Sequence, residues 1–320
     1  MQRIGRRDHP LSQTSRAADA VRRFFDGDVY HSFKRSPIII VAFITTVCMF
    51  LAAIFAPWLA PHDTSNIASL DLMNAFRPPS WTEGGDSVFL LGTDDQGRDV
   101  LSAIIFGLRI SLYVGFMAVI LAAVFGTLLG LLSGYVGGAL DSIIMRIADI
   151  QLTFPAILIA LLFDGIVRSL LSSAMHKDFK LTVLVLAIAA SQWVNFARTV
   201  RGSTMVEKNK EYVQAARVIG IHPILIMLRH VLPNVTGPVL VIGTLSLAIA
   251  ILTEATLSFL GVGVPVTQPS LGTLIRIGND FLFSGEWWMT IFPGIALVVL
   301  VLAVNLLGDW LRDALNPKLR

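Results

Sequence analysis

Hydrophobic residues gather into six runs along this chain, at roughly 38–60, 111–133, 152–167, 182–197, 237–258 and 289–308, separated by polar and charged stretches. A helix needs about 20 apolar residues to cross the hydrocarbon core of a bilayer, and a soluble core rarely sustains so many runs of this length. The third and fourth runs are the weakest: Asp164 and Arg168 clip one, and Gln192 and Asn195 interrupt the other. Six crossings are expected, with five as the fallback. The pattern predicts an all-α polytopic membrane protein. Its parts are a basic N-terminal tail (1–36), a first span (37–60), a long outer loop (61–109), a core of five further spans (110–308) with a polar loop at 198–234, and a C-terminal tail (309–320).

Composition agrees. Hydrophobic residues make up 54% of the chain and charged ones 15%, against about 25% charged in soluble domains; mean hydropathy is +0.71. The positive charges set the orientation. Eight Arg and Lys precede Pro37, six lie in 198–235, three follow Asn305 and Arg146 lies near 140, whereas the alternate loops hold seven. Both termini are therefore expected in the cytoplasm, and the formal charge of +3 marks an inner membrane face, not nucleic-acid binding. The tail lacks an apolar centre near Met1, and the run after Pro37 is too long for a secretory leader, so it reads as an uncleaved span. Trp58, Trp287 and Trp288 are expected at the outer interface. Cys48, the only cysteine, is expected to pack as a small apolar side chain in the first span.

The chain carries no G-x-x-x-x-G-K-S/T loop to cradle a phosphate, no H-E-x-x-H and no paired cysteines, and its six histidines are scattered. No catalytic residue, metal site or resident cofactor is expected. Gly261 and Gly263 read as the end of a span. Asn234-Val-Thr236 matches a glycosylation sequon by chance on the expected cytoplasmic side. Asp164 and Glu254 are ionisable groups in apolar runs, where function is the default reading. Both lie near expected outer ends, which favours reaching water or an interhelical hydrogen bond. Gln192 and Asn195, with Glu254, are the substrate-pathway candidates; Gln192, Asn195 and Asn305 could equally join helices. Asp141, Arg146 and Asp149 are expected to form a local ion pair at a cytoplasmic turn. In the outer loop, which is net acidic, Gly92 and Gly97 bracket Thr93-Asp94-Asp95-Gln96, favouring a tight solvated turn pinned by Asp–Arg contacts.

The polar segment from Glu211 to Pro233 is the most informative. Tyr212, Ala215, Ala216 and Ile219 recur at helical spacing and make one apolar stripe, kept shallow by the alanines so that another protein can approach the backbone. Gly220 suits the left-handed turn that ends a helix, Pro223 suits the start of a second one, and Pro233 punctuates the entry to the next span. The expected result is a helix–turn–helix lever at the cytoplasmic face; a helix resting on lipid headgroups is the alternative.

This segment resembles the signature loop of ABC-importer permeases, E-A-A-x-x-x-G, nine residues, I-x-L-P. Gln214-Ala215-Ala216 and Gly220 fill the first part and Leu232-Pro233 the second; Gln214 and His230 depart from it. Glu211-Tyr212-Val213, Ala215-Ala216-Arg217 and Arg229-His230-Val231-Leu232-Pro233-Asn234 are similar to the oligopeptide/dipeptide/nickel branch. Leu91–Asp99, Glu254–Gly263 and Asn305–Pro317 also resemble that branch, so the likeness covers about 35–320. It implies a type I importer permease fold with a cytoplasmic coupling helix, in which Glu211, Tyr212, Gln214, Ala215, Ala216, Ile219, Gly220, Pro223, Arg229 and Pro233 couple the chain to an ATPase. It further implies a bacterial inner-membrane subunit of an importer for di- or oligopeptides, working by alternating access. The implied partners are a second permease, two cytoplasmic ATPase subunits that use ATP and Mg, and a periplasmic binding protein; 91–99 would be an outer platform that abuts the helices and that binding protein. A secondary transporter or a non-transporting assembly factor remains open as a rival.

Overall fold

The computed structural model describes residues 33–64, 71–170, 179–264 and 268–314, and these are built from helices, with one isolated bridge between Thr93 and Asp99 and no β-strand. The expected tail up to residue 32, Lys177 and residues 315–320 lie outside the described residues.

Helix α1 (Pro37–Ile54) starts at a proline, whose missing N–H is unused in a first turn, and a single turn, α2 (Ala56–Leu59), follows. After the outer loop come α3 (Val100–Val136), α4 (Gly138–Leu152), α5 (Ala156–Leu170) and α6 (Lys180–Glu207). Two short helices, α7 (Glu211–Val218) and α8 (Pro223–Ile226), lead through a π-helical turn (Met227–Val231) into α9 (Leu232–Phe259). The described chain closes with α10 (Leu271–Phe281) and α11 (Trp288–Ala314).

Five stretches are long and apolar enough to cross a membrane alone: α1, α3, α6, Pro223–Phe259 and α11. The remaining expected run, 152–167, belongs to a bent pair, α4 and Ala156–Val167 of α5, meeting at 100°. The bend falls at Thr153-Phe154-Pro155, where proline lacks the N–H for the helix and pushes Phe154 out of helical geometry. The turn expected near 140 is made at Gly137-Gly138, and the charged residues that follow it lie on helix α4.

The 37 residues of α3 span about 55 Å, far more than the roughly 30 Å hydrocarbon core. The apolar run 111–133 marks only its middle. The outer loop, expected to reach Arg109, stops at Asp99, whose carboxylate caps α3 by accepting the Ser102 N–H at 2.9 Å. In the same way α6 carries the helix through Arg198 and Arg201 to Glu207, so the polar loop expected from 198 begins at Lys208; α11 likewise runs through the expected start of the C-terminal tail to Ala314.

Helix α3 is the pillar of the fold. Its glycines 126, 130 and 134 form a four-residue-spaced stripe against α6. A Cβ at Gly130 would meet the Ala197 carbonyl at 2.5 Å, and one at Gly134 would meet the Arg201 carbonyl at 2.8 Å. Small residues let two backbones approach in lipid, where packing replaces the hydrophobic effect as the cause of helix association. One apolar cluster joins α3 to α1, α9, α10 and α11, and a second joins it to α5, α6 and α9.

Two side chains stand otherwise than expected. Cys48, expected to pack in the first span, is exposed on α1. Trp288 is 6% exposed, because its indole N–H donates to the Thr93 carbonyl at 3.0 Å; Trp58 is exposed and Trp287 partly so.

Candidate functional site

The lever forms between α6 and α9. Helix α7 carries Glu211 in its first turn, where a carboxylate suits the helix dipole, and stops at Gly220, whose φ is +80°. The Ile221 N–H donates to the Ala216 carbonyl at 3.1 Å and the Gly220 N–H to the Arg217 carbonyl at 3.0 Å, the paired bonds of a Schellman turn. Pro223 then occupies the first turn of α8 and Pro233 that of α9.

The expected apolar stripe is divided. Ala216 is 3% exposed and turns inward with Val213, packing with Leu131 of α3, Val200 of α6, Ile226 of α8 and Val235 of α9. Tyr212, Ala215, Val218 and Ile219 face outward with Ile224 and Leu225 of α8. Ala216 therefore seats α7 on the permease and does not offer its methyl to another protein. Beside the outward face, a cleft of about 620 Å³ opens between the end of α3 and the lever, lined by Tyr135, Arg217, Ile221, Ile224 and Met227.

Polar fasteners hold the lever in place. The Tyr212 hydroxyl donates to the Glu207 carboxylate, with the His230 carbonyl a more distant alternative at 3.2 Å. Asn234 donates to the Tyr212 oxygen at 3.0 Å and to the His230 carbonyl at 2.8 Å. Burial and then the Glu207 carboxylate push the Tyr212 phenol up to about 12, so it stays protonated and remains a donor. Lys210 pairs with Glu207 at 2.8 Å, and the Lys208 ammonium donates to the Gly134 carbonyl at the end of α3 at 2.6 Å. Arg217 lies 4.9 Å from the Tyr135 ring centroid, within cation–π range. Gln214 donates to the Asn209 carbonyl at 3.3 Å, while Arg229 is exposed.

The charges near the α3–α4 turn pair with α6, not with each other as expected. Arg201 grips both oxygens of Asp141, at 2.5 and 2.7 Å, and Arg198 pairs with Asp149. Ser133 also donates to Asp141. Arg146 is exposed. Arg198 and Arg201, expected in the polar loop, are struts between helices because α6 runs on to Glu207.

The pathway candidates do not converge. Asn195 and Asn305 are exposed, and Gln192 is 4% exposed with neither amide atom bonded to protein. Asp164 is buried near the end of α5. Glu254 is fully enclosed and accepts hydroxyls from Ser111 of α3 and from Ser258, each at 2.7 Å. It makes the interhelical hydrogen bond expected as one alternative and does not reach the surface.

The outer turn is tight, as expected, but buried rather than solvated. Asp94 and Arg98 form a 2.7 Å pair with side chains 6% and 2% exposed, and Asp94 also accepts the Gln96 and Arg98 N–H groups. Gly92 has φ +83°, and a Cβ there would meet the Arg77 carbonyl at 2.6 Å and the Trp288 indole nitrogen at 2.9 Å. The turn is thus wedged between the outer loop and α11.

Residues 126–320 match the family described as binding-protein-dependent transport system inner membrane component, and residues 27–79 match the N-terminal TM domain of oligopeptide transport permease C. The chain is similar to the dipeptide transport system permease protein DppC of Haemophilus influenzae, 41% identical over 90% of this chain and 93% of that one. It is similar to the di/tripeptide transport system permease protein DppC of Pseudomonas aeruginosa, 38% identical over 92% of each. The Escherichia coli K12 DppC is 40% identical over 92% of this chain and 93% of that protein. The secondary-transporter and assembly-factor readings fall to this match. With its helical architecture and the lever between α6 and α9, this chain belongs to the ABC-importer permeases of the oligopeptide/dipeptide/nickel type, multi-pass inner-membrane components with the type I importer permease fold.

Proposed function

We propose that this permease moves di- or oligopeptides inward across a bacterial inner membrane by alternating access, driven by ATP that separate subunits hydrolyse. The observation that carries this reading is the divided lever: Val213 and Ala216 pack one face into the permease, the hydroxyl of the exposed Tyr212 ties the helix to Glu207, and Ala215, Val218, Ile219, Ile224 and Leu225 face outward. An apolar face of this kind on a helix firmly tied to α6 and α9 suits the transmission of a partner's motion to the spans.

The chain itself is not an enzyme in this reading and binds no cofactor; ATP and Mg belong to two ABC ATPase subunits docked on the outward face. A second, homologous permease completes the pathway, and a periplasmic binding protein delivers substrate. Glu211, Gln214, Arg229 and Pro233 belong to the coupling segment, and Gln192 is the pathway candidate that keeps an unpaired buried amide. Peptide as substrate rests on the names of the relatives. Lysine and arginine asymmetry places both termini and the lever in the cytoplasm and the Asp99 end of α3 outside.

Affinity purification of the tagged chain from its own bacterium should bring down an ATPase pair in stoichiometric amount, and the reconstituted complex should take up a labelled dipeptide only with ATP and binding protein. Purification without an ATPase would sink the coupling reading, and ATP-dependent uptake of some other solute would sink the peptide reading alone.

A further inference from the structure

Glu254 is not used by the lever, yet it is a fully buried carboxyl within a candidate membrane span, five residues before the end of α9. Ionisable groups in this setting are costly and persist where they do something specific. Its oxygens accept the hydroxyls of Ser111 of α3 at 2.7 Å and of Ser258, one turn further along α9, at 2.7 Å, and Ser270 at the head of α10 also bonds the carboxyl.

Ser111 and Ser258 are also acceptors. Ser111 Oγ takes the Leu271 N–H, the first of α10, at 3.3 Å, and Ser258 Oγ lies 3.5 Å from the Val264 N–H. A hydroxyl has one proton to give, and both serines give it to Glu254. Their lone pairs are thereby aimed at the two backbone N–H groups. Two relays therefore run from one carboxyl to the two ends of residues 264–271.

Helix α10 has little freedom to stand anywhere else. A Cβ on Gly272 would meet Ala255 Cα at 2.5 Å, one on Gly278 would meet the Thr290 nitrogen at 2.6 Å, and one on Gly107 would meet the Leu271 nitrogen at 3.3 Å. It is set backbone-to-backbone against α9, α11 and α3. Ser270 caps it, accepting the Thr273 N–H at 3.3 Å. A shift of α10 would break these close contacts together, so the helix is held firmly in place.

We propose that Glu254 is a positioning residue for transport: through Ser111 and Ser258 one buried carboxyl fixes the start of α10 at Leu271 against α3, and Val264 against the end of α9. The proposal rests on the importer reading and on the outer placement of the Phe259 end of α9. Glu254 touches no substrate in this role. It acts through Ser111 and Ser258.

Thr273, which is 1% exposed, reports the position of α10. In a Cys48→Ala background, Thr273→Cys in the assembled complex should react slowly with an impermeant thiol reagent applied outside intact cells. Adding Glu254→Gln, which keeps shape but replaces one acceptor by a donor, should raise that rate about tenfold, the scale of one lost hydrogen bond to a carboxylate. Dipeptide uptake per ATP hydrolysed should fall severalfold while hydrolysis itself persists. Should Glu254→Gln fail to accumulate, Ser111→Ala cuts the α10 relay and leaves the carboxyl in place, with the same expectation. Unchanged labelling in both variants would overturn the proposal, as would raised labelling with parental uptake per ATP. So would a parallel drop in permease amount, labelling and uptake, which marks a merely structural residue. If the parent takes up no dipeptide yet labelling still responds to Glu254→Gln, the peptide reading fails and the positioning of α10 stands.

Discussion

Tyr212 donates its phenolic hydrogen to the carboxylate of Glu207, binding the coupling helix α7 to the last residue of α6. The same oxygen receives Asn234 of α9 at 3.0 Å, so one side chain fastens three helices. If α7 is pushed by an ATPase, this junction carries the push to two spans at once.

Tyr212→Phe should therefore separate coupling from assembly. Its loss removes a hydrogen bond to a carboxylate worth about 1.5–3 kcal/mol and a neutral one worth about 0.5–1.5 kcal/mol, while every span keeps its own backbone hydrogen bonds. Glu207 keeps Lys210 at 2.8 Å and Asn234 keeps the His230 carbonyl at 2.8 Å. The expected variant inserts and co-purifies with its ATPase, and hydrolyses ATP with several times less uptake per ATP. Parental uptake per ATP in the reconstituted complex would remove Tyr212 from transmission, and lost co-purification would place it at the docking surface instead.

The two adjacent alanines should behave differently. Ala216 packs inside at 3% exposure, and forcing a large side chain into a filled core costs about 1–3 kcal/mol or more, so Ala216→Trp should lower the amount of folded permease. Ala215 is exposed; Ala215→Trp should leave that amount unchanged and weaken ATPase capture. Immunoblots of membranes and pull-down yields read the two effects separately, and the reverse pattern would mean that α7 is rotated from the orientation described here.

How much of this was legible beforehand follows from which forces act locally. Spans were legible because lipid imposes a run of about 20 apolar residues whatever the neighbours do. Helix ends were not, since α3 and α6 continue past the bilayer with Arg109, Arg198 and Arg201 aboard. Gly220 was legible because a positive φ selects glycine. The facing of α7 was not: Val213 and Ala216 lie about 60° apart around a helix, and Ala216 borders both the inner and the outer surface. Leu131, Val200, Ile226 and Val235, distant in sequence, decide which face is buried. The Gly126, Gly130 and Gly134 spacing was visible and marks the α3–α6 contact.

Topology is directly testable. With Cys48→Ala, a cysteine at exposed Ser87 should react with an impermeant thiol reagent in intact cells, while one at exposed Asn209 should react only after the membrane is opened. Labelling of position 209 alone in intact cells would invert the molecule.

Asp95 gives the outer loop a pH dependence. Burial, then the charges of Asp94 and more distantly Asp280, hold its carboxyl above the usual range, against the pull of Arg98. Raised in the folded state, such a group contributes stability below its unfolded value and loses it as pH rises through the folded one. Proteolysis of the 71–99 loop in the purified complex should therefore quicken as pH rises above the ordinary carboxylate range, and Asp95→Asn should flatten that rise. A variant with the parental slope would assign the dependence to another group.

Gly220 is the sharpest test of the lever. Its φ of +80° is a conformation that costs a residue with a Cβ roughly 1–2 kcal/mol, and β-branched side chains most of all. Yet a Cβ placed there has nothing within 4 Å, so any penalty arises from the backbone and not from a clash. Gly220→Val must either carry that strain or open the Schellman turn, breaking the Ile221–Ala216 and Gly220–Arg217 bonds and letting α8 swing away from α7. The spans keep their own backbone hydrogen bonds, so insertion should match the parent while uptake per ATP falls or the ATPase is lost. Gly220→Asn, with a side chain that tolerates positive φ, should retain most transport. Because the surrounding space is open, side-chain volume cannot produce that order; equal transport by both variants and the parent would show that the turn is free to change shape and that the lever does not depend on it.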